Sequence, residues 1–230
     1  MFKFKQFTID QDRCAMKICT DACLLGAYTA IEKGEKILDI GTGTGLLSLM
    51  LAQKDDVSID AVEAEENAAQ QARENVLHSA FAKQIEVHAH AIQAFAKTDY
   101  DLIISNPPFY FGQLKSHDER KNLAKHSLGL APAELAVIID KKLKPAGRAS
   151  ILLPENEMNI FVDTMAQLGF FPHDDLQVAH NPEKPVFRRI CLFSRSKAVL
   201  KRRRLNIYDS DNSTYSSEFR SYLEPYYIIF

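Results

Sequence analysis

Asn106, Pro107, Pro108 and Phe109 put a side-chain amide, two imino acids and an aromatic ring in one short stretch. They close "DLIISN" (101–106), an apolar, β-leaning run. Proline has a fixed φ and no N–H, and it pushes the residue before it toward extended geometry. Asn106 and Pro107 are therefore both held extended. The Asn106 amide oxygen and the Pro107 carbonyl become two fixed acceptors beside a flat ring. Two such acceptors can hold both N–H bonds of an aromatic amine, localise its lone pair, and aim it at an electron-poor carbon. Phe109 would stack on the ring bearing that amine, a contact worth ~1–3 kcal/mol. Taken alone, the four residues suit an ordinary turn after a strand equally well.

A second group lies upstream, in "DIGTGTGLLS", Asp39 to Ser48. Gly41, Gly43 and Gly45 allow a tight turn and bring backbone amides close to a ligand. Glu63 closes the following apolar run, where an acid can accept hydrogen bonds from both hydroxyls of a ribose. A dinucleotide site would use the same architecture, but its G-x-G-x-x-G pattern places glycine where this chain has Leu46.

The elements that must position these groups alternate. "KILDI" (36–40), "SIDAVE" (58–63), "IEVHAH" (85–90) and "DLIISN" read as strands. "LLSLMLAQ" and "ENAAQQARENVLHSA" read as helices between them. This alternation indicates an α/β, doubly wound, mostly parallel sheet, with both chemical groups at carboxyl ends of strands, where such sheets bind ligands. Further on, "PAELAVIIDKKLKPAG" predicts a helix ending at Pro145-Ala146-Gly147, followed by a strand in "RASILLP" and a helix in "ENEMNIFVDTMAQLGF". "DDLQVAHNP" and "RRICLFSR" are expected to be the last two strands, paired antiparallel. With no Gly/Ser linker, one domain is expected. It comprises an N-terminal extension (1–35) reaching the cofactor site, a core (36–204), and a tail (205–230) packing on the core.

The 230 residues are 46% hydrophobic and 25% charged, which suits a globular chain. No membrane span or signal peptide is recognisable, so a cytoplasmic protein is expected. Cys14, Cys19, Cys23 and Cys191 lack zinc-site spacing and are expected to be reduced and buried; no metal is expected. From Val186 to Arg204 there are eight Lys or Arg and no acid, although the whole chain carries a net charge of −2. That run includes Arg188, Arg189, Lys201, Arg202, Arg203 and Arg204 and predicts a stripe for nucleic-acid phosphates.

The glycine loop with Asp39 before it resembles the first motif of Rossmann-like S-adenosylmethionine-dependent methyltransferases. "NPPF" is similar to the (D/N/S)PP(Y/F/W) motif of those acting on amino groups. Together with "FTIDQDRCAMKICTDACLLGAY" (7–28) and "YSSEFRSYLEPYYIIF", these motifs make nearly the whole chain resemble bacterial tRNA1(Val) adenine-N6 methyltransferases. The resemblance implies a seven-stranded sheet with an antiparallel last strand, and S-adenosylmethionine as donor. It also implies a tRNA partner; no obligate protein partner is evident in the sequence. It places Lys17, Thr20, Asp21, Asp39, Gly41, Gly43, Gly45, Glu63 and Asn106 at the cofactor, and a flipped adenine beside Asn106 to Phe109. Two positions depart from the pattern. Cys19 replaces a glycine, and Ala91 replaces an acid that contacts the cofactor's adenine, leaving a backbone amide near Ala91, or His90, as substitute.

Residue chemistry alone leaves other substrates open: guanine N2 of ribosomal RNA, adenine N6 of DNA, or a release-factor glutamine. A non-catalytic RNA-binding protein and a dehydrogenase are readings of other classes. The polar segment 110–131, with His117 and His126, is open to reading as a lid or as a surface helix.

Overall fold

The structure is a computed structural model and describes residues 1–108 and 130–230. Phe109 and most of the 110–131 segment lie outside the described residues.

A hairpin of β1 (Phe2–Lys3) and β2 (Thr8–Ile9) precedes α1 (Thr20–Tyr28). The first half of the main sheet is β3 (Lys36–Ile40), α2 (Leu46–Ala52), β4 (Ser58–Glu63), α3 (Glu66–Leu77), β5 (Ile85–Ala89) and β6 (Tyr100–Ser105). The second half is α4 (Pro132–Lys142), β7 (Leu143–Leu153), α5 (Glu155–Gln167), β8 (Phe171–Ala179), β9 (Val186–Ser194) and β10 (Lys201–Asn206). The last helix, α6 (Ser217–Leu223), follows. The sheet order is β10-β8-β9-β7-β6-β3-β4-β5. β9 runs antiparallel to both its neighbours, and the other pairings are parallel. The mostly parallel sheet is as expected, but among the described residues it has eight strands and not seven: β9 is the antiparallel strand, and the last strand, β10, pairs parallel with β8.

Alternation along each strand feeds two cores. Ile37, Leu102, Ile104 and Ile190 face α1 and α2, where Leu25, Leu49 and Met50 are fully buried. Leu38, Ile103, Cys191 and Phe193 face α4 and α5, meeting Ile139, Phe161 and Met165. Phe219 and Leu223 of α6 join the first core, and the Tyr226 hydroxyl donates to the Met50 carbonyl at 3.2 Å.

One local expectation is corrected. α4 stops at Lys142, and residues 143–147 belong to β7. The reason is close packing: a Cβ at Gly147 would lie 2.8 Å from the Tyr100 carbonyl oxygen, so this backbone is pressed onto β6. The basic "KRRR", given no secondary structure from the sequence, opens a strand: Lys201 to Asn206 pair in register with Asp174 to Ala179 of β8.

The chain builds β3, β4 and β5 outward in one direction, then crosses back to lay β6 on the other side of β3. The reversal is the switch point where open α/β sheets bind ligands. Ile40 and Ser105 are register partners there, and the Ser105 hydroxyl donates to the Ile40 carbonyl at 2.8 Å. Gly41 and Asn106 are therefore the next residues on neighbouring strands.

Candidate active site

Gly41, Gly43 and Gly45 have φ of +72°, +56° and +83°, a region that costs other residues about 1–2 kcal/mol each. Among the described residues, nothing lies within 4 Å of where a Cβ would stand on Gly41 or Gly43, so the loop presents bare backbone to the cleft. Beneath it, Asp39 is fully buried, and its Oδ2 accepts from the Thr42 hydroxyl at 2.6 Å and the Ser48 hydroxyl at 2.7 Å. Asp39 thus holds the loop from below and does not line the cleft. Burial raises its carboxyl to about 6. Gly45 is likewise behind the lining, as the residue that turns the chain into α2.

Glu63 does line the cleft. Its two oxygens accept from the backbone N–H of Gly43 at 2.9 Å and of Glu65 at 3.0 Å. The carboxylate is therefore fixed in orientation, and each oxygen keeps a lone pair for a hydroxyl donor.

Across the switch point, Asn106 and Pro107 are buried and Pro108 is half-buried. The Asn106 Oδ1 has no hydrogen-bond partner among the described residues, while its Nδ2 touches the Met16 sulfur at 4.0 Å. The cleft has a volume of about 600 Å³, within the usual range for small-molecule sites. Its walls are residues 14–19, 41–44, 63–65, 90–93 and 105–108. The structure thus brings together Lys17, Gly41, Gly43, Glu63, Asn106, Pro107 and Pro108. His90 and Ala91, at the position that departs from the family pattern, also face the cleft.

Thr20 and Asp21 are not among the lining residues. Thr20 is exposed at the start of α1, and Asp21 accepts from Arg188 Nε at 2.8 Å. Lys17 turns its ammonium back onto the Gln11 carbonyl. The thiols of Cys14 and Cys19 also face the cleft, and burial pushes them up to about 11 and about 12. They are protonated at neutral pH and inert as nucleophiles. All four cysteines are free, and three are buried.

One positioning residue carried no recognisable signal in the sequence. Asn75 of α3 is 3% exposed and donates to the Asp10 and Thr44 carbonyls, both at 2.9 Å, while accepting from Asp10 N at 2.9 Å. It clamps the N-terminal segment to the glycine loop. Gln71 and Glu74 of the same helix hold Arg13. These contacts span 31 to 65 residues of sequence, so no local pattern announces them; an Asn in a run of helix formers was the only hint.

The basic run is rebuilt by the structure. Arg189 is 6% exposed, and Nε and Nη2 lie 2.9 and 2.8 Å from the two oxygens of Asp175. A buried guanidinium committed to a carboxylate does not reach a phosphate, so Arg189 leaves the predicted stripe. Arg202 also reaches Asp175, at 3.1 Å, and Arg203 reaches Asp174 at 3.0 Å. Arg204 donates to the Lys184 carbonyl at 2.6 Å. Lys201, Arg202, Arg203 and Arg204 nevertheless remain exposed.

A bare glycine loop and an oriented ribose acid at the switch point of this sheet define an S-adenosylmethionine-dependent methyltransferase of the Rossmann-like class. Solved structures agree on the fold. A chain described as a predicted O-methyltransferase from Agrobacterium tumefaciens superposes with a TM-score of 0.71 at 17% identity, over 89% of this chain and 96% of that one. A methyltransferase from Pyrococcus furiosus gives 0.62 at 19% identity, over 83% and 90%. The methyltransferase small domain family matches residues 20–145. A Dyadobacter fermentans protein named tRNA1(Val) (adenine(37)-N6)-methyltransferase is 43% identical over 100% of this chain and 98% of its own. Proteins of that name from Trichodesmium erythraeum and Bacteroides fragilis are 40% and 37% identical, each over 99% of this chain and 97% of their own. The chain belongs to this tRNA1(Val) (adenine(37)-N6)-methyltransferase family.

Proposed function

We propose that this protein transfers a methyl group from S-adenosylmethionine to the exocyclic N6 of an adenine in a tRNA anticodon loop, adenine 37 of tRNA1(Val). The observation that carries the reading is the buried Asn106 Oδ1, without a partner among the described residues, one strand away from the glycine loop. Full-length similarity to relatives of that name supports the choice of tRNA.

The residues present fit the donor. Residues 41–44 offer bare backbone, Glu63 offers two oriented oxygens for a ribose, and the wall at 90–93 offers backbone and His90 to an adenine. When bound, S-adenosylmethionine supplies a methyl group on a positively charged sulfur, already open to attack. The protein's task is to present the amine. Asn106 Oδ1 and the Pro107 carbonyl accept its two N–H bonds and turn the nitrogen lone pair toward the glycine loop. A base in a structured RNA must be rotated out of its stack to get there. Phe109, which the motif assigns to stacking on that base, lies outside the described residues. The methyl group would pass to that nitrogen as its bond to sulfur broke, and the amine proton would then leave to water. No side-chain base is required, and the protonated Cys14 and Cys19 offer none. Lys201, Arg202, Arg203, Arg204 and Arg188 are assigned to the RNA backbone. Contacts of that kind position a nucleic acid without reading its sequence. The cytoplasm is the compartment this substrate implies.

The test is transfer of a labelled methyl group to total tRNA, ribosomal RNA, DNA and release factor in parallel, followed by mass spectrometry of the digested nucleosides. N6-methyladenosine confined to tRNA is the expected result. Label found only in release factor, or only as methylguanine, overturns the reading.

A further inference from the structure

The turn of the β8–β9 hairpin lies at the same end of the sheet as Asn106. It lies two to three strands along, or about 10–15 Å at the usual strand spacing. Pairing there is irregular. Val178 faces Arg188 and Ala179 faces Val186, so Phe187 is an extra residue in β9. A bulge of this kind re-aims a side chain that regular alternation would send elsewhere. Here it stacks the Phe187 ring on His180, with centroids 4.2 Å apart and planes 2° from parallel. The Arg188 guanidinium lies 5.4 Å from the Phe187 ring centre and is tied at 2.8 Å to Asp21, at the start of α1.

The connecting turn is braced. Asn181 Oδ1 accepts from the N–H of Glu183 at 2.8 Å and of Lys184 at 2.9 Å. Arg204 of β10 donates to the carbonyls of Pro182 at 3.3 Å and Lys184 at 2.6 Å. His180 and Lys184 are exposed, and Glu183 is the one acid between His180 and Arg188. This end of the sheet thus carries a second flat, rigid, cation-flanked surface besides the Asn106 ledge. Aromatic faces stack on any unpaired base, while hydrogen bonds from a rigid edge would be selective.

We propose that the His180–Phe187 stack is a second base-binding platform. It takes an unpaired RNA base flanking the one rotated into the Asn106 ledge, with Lys184 turned toward that nucleotide's phosphate. The proposal rests on the RNA substrate proposed above and adds where the rest of the loop is held. Arg188 and Arg204 also brace the platform, through Asp21 and the turn carbonyls, besides their assignment to the RNA backbone.

The test measures the affinity of a fluorescein-labelled anticodon stem-loop RNA at fixed salt for wild type, His180→Ala and His180→Trp. Loss of one stacked base weakens binding roughly 5- to 100-fold in His180→Ala. His180→Trp, which restores a flat face, binds within a few-fold of wild type. Calorimetry with S-adenosylhomocysteine, at a site distant from His180, shows that each variant is folded. RNA affinity in His180→Ala equal to wild type overturns the platform, as does a His180→Trp variant as weak as the alanine one. Nucleoside analysis of the wild-type reaction is read separately. Absence of methyladenosine in tRNA would sink the substrate reading, while the RNA affinities still decide the platform.

Discussion

A buried amide oxygen left without a hydrogen bond costs about 1–3 kcal/mol, and Asn106 Oδ1 has no partner among the described residues. An incoming amine relieves that cost, so the same atom that weakens the fold organises the reaction. Asn106→Ala therefore lowers methyl transfer by roughly a hundredfold or more, the scale of a misplaced reacting group. Because the Asn106 amide oxygen is assigned to the incoming amine, affinity for S-adenosylhomocysteine is expected to stay within a few-fold by calorimetry; near-normal turnover would remove the ledge from the mechanism. Asp39 makes a different trade. Burial raises its carboxyl from 3.8 to about 6, so the unfolded chain releases this proton at lower pH than the folded one. Through this group, stability falls as pH rises from about 4 to about 6, by about 3 kcal/mol in all, and is flat above. Asn at that position cannot titrate. The stability of wild type relative to Asp39→Asn, from urea unfolding at several pH values, accordingly declines across that window and then levels off. A difference independent of pH would show that Asp39 is not held near 6.

At the scale of elements, the strands nearest the site were plain in the sequence because each carries its burial in its own residues. β3 and β6 are short apolar runs with both faces covered, and their ends are marked by glycines and prolines. β10 was hidden for the opposite reason. "KRRRLN" has no apolar alternation over its first four residues, and its strand state comes from the open edge of β8. Charged side chains on such an edge also discourage pairing with other chains. The antiparallel pair β8–β9 was legible, but its buried ion pair was not, since Asp175 and Arg189 meet only across the completed ladder. Removing one partner of a buried pair costs about 3–5 kcal/mol, because the other charge stays buried. Arg189→Met is thus expected to destabilise the protein toward the lower end of that range, with Arg202 still within reach of Asp175. Asp175→Asn combined with Arg189→Met should recover part of the loss, as read from chemical denaturation midpoints. A double variant no better than Arg189→Met alone would contradict the pairing.

Over the whole molecule, charge is distributed unevenly, and the structure decides how much of it faces outward. Eight cations fall between Val186 and Arg204, but five of them (Arg188, Arg189, Arg195, Arg202 and Arg203) meet carboxylates of the same chain. Only Arg189 is buried in doing so; Arg202 and Arg203 keep side chains 58% and 46% exposed. An exposed guanidinium held by one carboxylate can still face a phosphate with its remaining donors. Neutralising it has two effects on RNA: one cation disappears, and Asp174 or Asp175 is left without that partner next to the RNA backbone. Arg204 differs, because it donates to the Asn206 amide and to backbone carbonyls, all neutral groups. Lys201 is likewise exposed and meets no carboxylate among the described residues. Glutamine at Arg202, Arg203 and Arg204 together therefore weakens RNA binding more than their charge alone suggests. It also flattens the plot of log affinity against log salt by about 0.7 for each phosphate that goes unneutralised, or about 2 in all if each arginine serves one. Lys201→Gln with Arg204→Gln flattens it by the same increment per residue while costing less affinity at low salt. Titrating a labelled stem-loop across potassium chloride concentrations separates the two variants. An unchanged slope in both would return β10 to the role of a solvated sheet edge and leave RNA docking to the surface nearer the cleft.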